Sequence, residues 1–335
     1  MKAIVIRAFG GPDVMRLEDV PTPVPGPGEV LVRVHAVSVN RTLDLAVRAG
    51  TYAVAATLPH VLGVDPSGVV AAVGDGVATP RVGDRVVTRQ FVRPPTPTAG
   101  PALLGVHAWG GYAEYVRVPA AATHPVPEGL DFVTATIVAR HAPTALSMLR
   151  DAAKLVAGEW VLVMGASGGL GAAGVQAAKG LGARVIAAAG SDDRVAAAVA
   201  LGADAGVNYR RQDLTAETRR LTGGHGADVV FENIGDAELF PRALASLAHH
   251  GRLVTAGAHG GGTVPLDVKF LYLNHIAVIG SVGEIGSEDL TLALDAAARG
   301  RYRVLVDRVL PLAQAPMAHR LVEERAGTGK IVLQP

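Results

Sequence analysis

The sequence predicts an α/β fold, a doubly wound parallel sheet joined to a mainly β domain. Three observations carry this prediction. From about residue 130, apolar strand runs alternate with helical patterns, which implies a parallel sheet covered on both faces. Before that point the chain is a series of short β-rich runs cut by Pro and Gly clusters such as PTPVPGPGE. Between a strand pattern and a helix pattern stands a glycine-rich turn, VLVMGASGGLG, residues 161–171.

The elements follow in order. KAIVIRAF, EVLVRVHAVSV, GVVAAVG, DRVVTRQFV and GYAEYVRVP read as strands, with one short helix over 42–49. RPPTPTAGPALLG, residues 93–105, reads as a surface loop. The alternating part runs VLVMG, a helix over 170–181, RVIAAA, a helix over 192–201, DVVFENIG, a helix over 237–248, RLVTAGA and IAVIGSV. A helix over 287–299 follows, and RVLVDRVLPL and KIVLQP then return to strand character, so the tail is expected to fold back onto the first domain. No internal repeat is present. The expected division is a β-rich domain of 1–127 with 301–335, and a second domain of 128–300.

Composition bounds the function. At 335 residues, two domains are the better expectation. Hydrophobic residues at 49% and charged residues at 18% describe a globular chain without a disorder signature. A net charge of +1 argues against a polyanionic partner or an acidic membrane surface. Aromatics at 4% weaken single-strand nucleic-acid binding, which needs stacking platforms. With no cysteine, disulfides, thiolate catalysis and cysteine-ligated metal are excluded, and the redox compartment stays open. Arg7 interrupts the apolar N-terminus too early for a secretory signal. The uncharged run from Trp160 to Ala178 holds five glycines and splits into strand, turn and helix rather than a membrane span. A cytoplasmic protein is expected.

In the glycine-rich turn, Gly165, Gly168 and Gly171 fall where a chain must turn tightly, approach a pyrophosphate and pack helix against strand. Ser167, Gly169 and Leu170 complete the turn, and backbone N–H groups at the helix N-terminus face the anion. The acid that grips an NAD ribose belongs about 20 residues on. AAAGSDDR, residues 187–194, places Gly190 and Ser191 there instead. Ser191 can donate to a 2′-phosphate, Arg194 can meet it with a planar fork, and Tyr209 of VNYRR can close the same site, so NADP is the favoured cofactor. The same residues also read as a helix N-cap with an acidic first turn, and Asp192 and Asp193 can serve NAD.

The β-rich start followed by GASGGLGAAGVQAAKGLGARV and the returning TGKIVL resembles the medium-chain dehydrogenase/reductase superfamily over essentially the whole chain. GEVLVRVHAVSVN, LGVDPSGVV, VGDRV, GGYAEYV and GASGGLGAAG are similar to its zinc-free branch of quinone oxidoreductases and enoyl reductases. The resemblance implies a Rossmann-type domain and a GroES-like catalytic domain. Zinc alcohol dehydrogenases place a catalytic Cys where this chain has Asn40, and a His-Glu pair where it has Val64 and Asp65. Their third ligand comes from the segment that is ARHAPTA here, in which His141 is a candidate ligand or, as a lone histidine more often is, a packing residue. No metal is expected.

By the same resemblance, Asn40, Asp44 and Tyr52 of SVNRTLDLAVRAGTY line the nicotinamide site, with Tyr52 implicated in proton delivery. Asn40 also reads as a helix N-cap, and Asp44 as a solvated helix residue or a partner of Arg41 or Arg48. TAGA at 255–258, with Ala256 and Gly257, and IGSVG at 279–283, with Ser281, would hold the carboxamide through backbone groups, although parallel strand ends favour small residues in any case. The expected function is an NADPH-dependent, zinc-independent reductase of a small-molecule quinone or α,β-unsaturated carbonyl, acting as a homodimer. A zinc-free ketone or aldehyde (alcohol) dehydrogenase and a non-catalytic NADPH-binding protein are the alternatives.

Overall fold

A computed structural model describes residues 1–93, 100–281, 286–325 and 327–335. The chain forms two compact units: Met1–Arg140 with Thr291–Arg301 and Val306–Pro335, and His141–Leu290 with Tyr302–Leu305. The division falls inside the helix Phe132–Ser147.

In the first unit, the long strand Glu29–Ser38 organises the main sheet. It pairs antiparallel with Ser67–Val73, with Tyr115–Pro119 and, at its end, with the C-terminal strand Lys330–Gln334. Val306–Pro311 then adds parallel to Lys330–Gln334, so the tail completes this sheet. The burial pattern of Lys330–Gln334, four buried residues then one exposed, marks a central strand, and Lys330 is a cation inside it. A smaller antiparallel sheet joins Met15–Asp19, Lys2–Ile6 and His60–Val61. Both sheets feed one core of Val, Ile and Leu that also contains Tyr112.

In the second unit, parallel strands lie in the order Ala205–Asn208, Arg184–Ala189, Trp160–Met164, Ala227–Glu232, Leu247–Thr255, Ala277–Gly280. In chain order this is 3-2-1-4-5-6, the doubly wound arrangement that sets ligands outside the carboxyl ends of the strands where the order reverses. VLVM is fully buried and its side chains divide between two core clusters, as a strand covered on both faces requires.

Local differences from the sequence reading have physical causes. The helix expected over 237–248 is Leu239–Ala245, and the next strand begins at Leu247. The segment expected as a helix over 42–49 starts with a wide turn in which Leu45 N donates to Asn40 O, because the Asp44 carboxylate folds back to accept from Asn40 N. Phe91–Arg93 pairs with Ala102–Leu103, so the ends of the expected 93–105 loop are strand-paired; residues 94–99 lie outside the described residues. Helices Leu214–Leu221, Val268–Leu273 and Ala315–Glu323 were not expected from the pattern.

Candidate active site

The second unit presents a phosphate cradle. Gly165 ends the first parallel strand with φ +59°, a conformation side chains rarely adopt. A Cβ on Gly171 would lie 2.1 Å from the Gly165 carbonyl oxygen, so only glycine lets the helix Gly169–Gly180 start this close to the strand. Gly168 is the N-cap, its side-chain-free position leaving the helix N–H groups open, and Ser167 is buried in the turn between strand and helix. Leu170 packs into the core beneath. These residues fit a bound pyrophosphate: Gly168, Gly169 and Gly171 put no side chain of their own over the donors at the helix start.

The neighbouring strand ends at Ala189, and Gly190 follows it. A methyl group at Gly190 would lie 3.1 Å from the Tyr209 hydroxyl and 3.3 Å from Arg210 Nε. Ser191 occupies the N-cap of Asp192–Ala200, yet its hydroxyl makes no capping hydrogen bond. Asp192 instead accepts from Asn208 Nδ2 at 2.6 Å and from Arg211 Nη1 at 2.5 Å, which ties this carboxylate to the next strand. Arg194 lies in the first turn of the same helix. Arg210 is exposed and forms no ion pair among the described residues; the sequence reading missed it, although it follows Tyr209 directly in VNYRR.

Two further residues that sequence reasoning missed shape the strand ends. Glu232, fully buried, accepts from Ile234 N, Gly235 N and Thr255 Oγ1. Burial pushes its carboxyl up, against the pull of those donors. Asn233 Nδ2 donates to Met164 O at 2.6 Å, which ties this strand end to the cradle strand. Ala256 and Gly257 follow Thr255, with Ala256 N donating to Glu232 O, and Ser281 N donates to Thr255 O at 2.9 Å. Val282 and Gly283 of the expected IGSVG segment lie outside the described residues.

In the first unit, Asn40 and Asp44 belong to one polar cluster built on buried carboxylates, and Tyr52 packs against the apolar core of the same unit. Asp65 accepts from Ser38 N, Ser38 Oγ and Asn40 Nδ2 at 2.5–3.0 Å. Asp44 accepts from Asn40 N at 2.8 Å and Gly63 N at 3.0 Å. Lys330 Nζ donates to Val39 O and to Asn40 Oδ1. Asn40 is therefore not a side-chain cap: its amide also donates to Ser38 O, so both ends of the side chain are engaged within the unit. Asp44 is fully buried, so it is not a solvated helix residue, and among the described residues it forms no ion pair with Arg41 or with Arg48, which pairs with Glu323. Tyr52 is half-buried, and its hydroxyl makes no hydrogen bond among the described residues. Burial raises its pKa and the nearby Arg140 charge opposes that rise, so the phenol stays protonated at neutral pH.

Behind the carboxylates runs a relay with a fixed direction. Arg48 can only donate, so His319 Nδ1, 3.1 Å from Arg48 Nη1, accepts. The histidine proton then sits on Nε2 and goes to the Tyr112 oxygen at 3.1 Å, leaving the Tyr112 hydroxyl to donate to Asp44. Glu323 pairs with the far side of Arg48. Burial and the Arg48 charge push the His319 pKa down to about 3, while burial first, and Asp65 second, push the Asp44 carboxyl up.

The two shifts have opposite signs for stability. His319 stabilises fully above its unfolded pKa of about 6.5, and that contribution is lost as pH falls toward about 3. Asp44, with a raised folded pKa, favours the folded state at low pH and loses that contribution as pH rises. Replacing His319 by Gln removes the first effect alone. Between pH 6.5 and 4.5, H319Q is expected to gain about 2 kcal/mol relative to the unmodified protein, read as the change in unfolding free energy at the two pH values. Parallel pH dependence in both proteins contradicts a buried neutral His319.

The comparisons agree with this architecture. Residues 26–128 match the family model described as the alcohol dehydrogenase GroES-like domain, and residues 169–299 match the one described as zinc-binding dehydrogenase. The chain is 33% identical to quinone oxidoreductase of Sus scrofa, over 99% of this chain and 97% of the relative. It is 32% identical to 2-haloacrylate reductase of Burkholderia sp, over 99% and 98%. A solved NAD-dependent alcohol dehydrogenase superposes with a TM-score of 0.92 at 39% identity, covering 100% of both chains. Despite the zinc in the family description, no group of three or more His, Cys, Asp or Glu side chains among the described residues is arranged to hold a metal ion. With relatives at this identity spanning almost its whole length, the chain belongs to the medium-chain dehydrogenase/reductase family, on its quinone oxidoreductase branch.

Proposed function

We propose that this protein is an NADPH-dependent reductase that delivers hydride to a quinone or to the β-carbon of an α,β-unsaturated carbonyl without zinc. The observation that carries the cofactor choice is Gly190, bordered by the Tyr209 hydroxyl and the Arg210 guanidinium where an acid would grip an NAD ribose. Ser191, with its hydroxyl unused for capping, Arg194 and Tyr209 complete the 2′-phosphate site in this reading. Gly165, Ser167, Gly168, Gly169, Leu170 and Gly171 hold the pyrophosphate, and backbone groups at Ala256, Gly257 and Ser281 hold the carboxamide. When bound, the reduced nicotinamide supplies the hydride.

The rest of the reaction falls to the first unit. Electron density that leaves the substrate double bond collects on oxygen, where a preorganised donor lowers the barrier. Tyr52 has the free, protonated hydroxyl for this task and can pass its proton on. Asn40 and Asp44 act one step back in this reading. Their hydrogen bonds to Ser38, Asp65, Lys330 and Gly63 fix the turn that leads to Tyr52. Asn40 also stands where zinc relatives carry a thiolate, and its amide is a poor zinc ligand.

The 39% identity to an NAD-dependent alcohol dehydrogenase favours a second reading, reduction of a simple ketone or aldehyde. Steady-state NADPH oxidation with quinones, enones and ketones separates the two. Self-association into a homodimer is part of the proposal. It is supported by the edge strand Ala277–Gly280, where Val278 is exposed, and by exposed Val268, Tyr272 and Leu273 on the adjoining helix of the same unit.

Arg210→Glu and Arg194→Glu are expected to weaken NADPH far more than NADH. Loss of one charge-assisted pair costs about 1.5–3 kcal/mol, or roughly 10- to 150-fold in affinity, measured by fluorescence titration of each cofactor. Equal affinity of the unmodified protein for both cofactors rules out the 2′-phosphate site.

Tyr52→Phe keeps the ring and removes the donor. Cofactor affinity should hold while kcat falls by roughly 10²-fold or more, with enones suffering more than quinones because a reduced quinone is the better stabilised anion. Unchanged turnover on both substrate types reduces Tyr52 to a wall of the site.

A further inference from the structure

One cation of the first unit is built into the polar cluster without a partner. Arg140 is half-buried, and its Nε is sealed from solvent with no hydrogen-bond partner. Among the described residues it forms no ion pair. Its neighbours in the field are Asp65, Asp44 and Tyr52. The two carboxylates accept from Ser38, Asn40 and Gly63, and among the described residues neither forms an ion pair with the guanidinium. Lys330 lies in the same cluster, where its ammonium donates to Val39 O and Asn40 Oδ1 rather than to a carboxylate.

A guanidinium, a planar fork of N–H donors, is the protein group best shaped for a carboxylate, which it can take through two parallel hydrogen bonds. Leaving such a group unpaired in a buried setting is costly, so an anion arriving from outside gains what the fold leaves unmade. Resting on the reductase reading above, we propose that Arg140 is the substrate's carboxylate clamp and that the preferred substrates are α,β-unsaturated carboxylates of the 2-substituted acrylate type. The relative named 2-haloacrylate reductase fits that class.

The chemistry balances. Hydride from the reduced nicotinamide forms a C–H bond at the β-carbon, and the π electrons of the C=C bond move through the α-carbon onto the carboxylate. Arg140 offsets the extra negative charge of the resulting enediolate. The α-carbon then takes a proton, from Tyr52 or from water, giving the saturated acid and the oxidised nicotinamide.

The test compares 2-chloroacrylate with its methyl ester, which keeps the conjugated C=C and loses the charge. The unmodified protein should favour the acid in kcat/KM. Arg140→Met should lower the acid-to-ester ratio by roughly 10- to 150-fold while the ester is still reduced. Arg140→Lys, which keeps the charge without the fork, should retain part of the preference. Calorimetric titration of 2-chloropropionate, which cannot be reduced, should give binding that Arg140→Met abolishes.

An unchanged acid-to-ester ratio in Arg140→Met overturns the clamp, as does a raised KM for NADPH with that ratio intact, which assigns the guanidinium to the cofactor's phosphates. If enones and quinones are reduced while the ratio does not move, the clamp falls and the reductase reading stands. If 2-chloropropionate binds through Arg140 and no substrate is turned over, the clamp stands and the reductase reading falls.

Discussion

Asp44 and Asp65 are carboxylates with almost no access to water, and the first unit is arranged around keeping them satisfied. A buried charge is tolerated only when hydrogen bonds and an opposite charge replace its hydration. Here the replacements come from distant parts of the chain: Ser38 and Asn40 at the end of the central strand, Gly63 from the next turn, Tyr112 from the loop before Tyr115, and Lys330 from the C-terminal strand. Satisfying two side chains therefore fixes four segments against one another. Tyr52 extends from the turn so fixed, its backbone N–H held by Ala46 O. Both carboxylates that support this turn are held by several hydrogen bonds each.

The second unit solves a different constraint with the opposite material. A phosphate must approach backbone N–H groups closely, and any side chain in the turn would stand in the way. Gly165 and Gly171 meet that demand by absence, and Glu232 and Asn233 lock the neighbouring strand ends so that the opening keeps its shape. In the proposed reading, cofactor choice turns on one further strand end, at Gly190, beside which Tyr209 and Arg210 stand.

This contrast explains what the sequence discloses. The cradle is written locally: strand, glycines and helix lie within 20 residues, and the backbone reason for each glycine is visible in one dimension. The doubly wound order follows from the same alternation. The polar cluster is not local, since Asn40 and Lys330 are 290 positions apart, and their hydrogen bond exists only once the tail strand has paired. A signal was nonetheless present. Asp65 in LGVDPSG, Glu232 in VVFENIG and Lys330 in GKIVL are charges inside apolar runs, a setting in which a charge is buried and partnered. Arg210 was hidden because an exposed arginine beside another arginine reads as surface. The short helices Leu214–Leu221 and Ala315–Glu323 were missed because eight or nine residues give too few turns for a periodic pattern, although Asp213 caps the first through Ala216 N.

The dependence of the first unit on its buried charges is most directly tested at Lys330, whose ammonium donates to Val39 O and Asn40 Oδ1. Lys330→Met keeps most of the side-chain volume and strands the carboxylates without their nearest tail cation. Equilibrium unfolding in denaturant at pH 7 should then show the first unit destabilised by about 3–5 kcal/mol, the scale of breaking a buried charge arrangement from one side. A loss below about 1 kcal/mol would contradict the view that these carboxylates hold the unit, and with it the site, together.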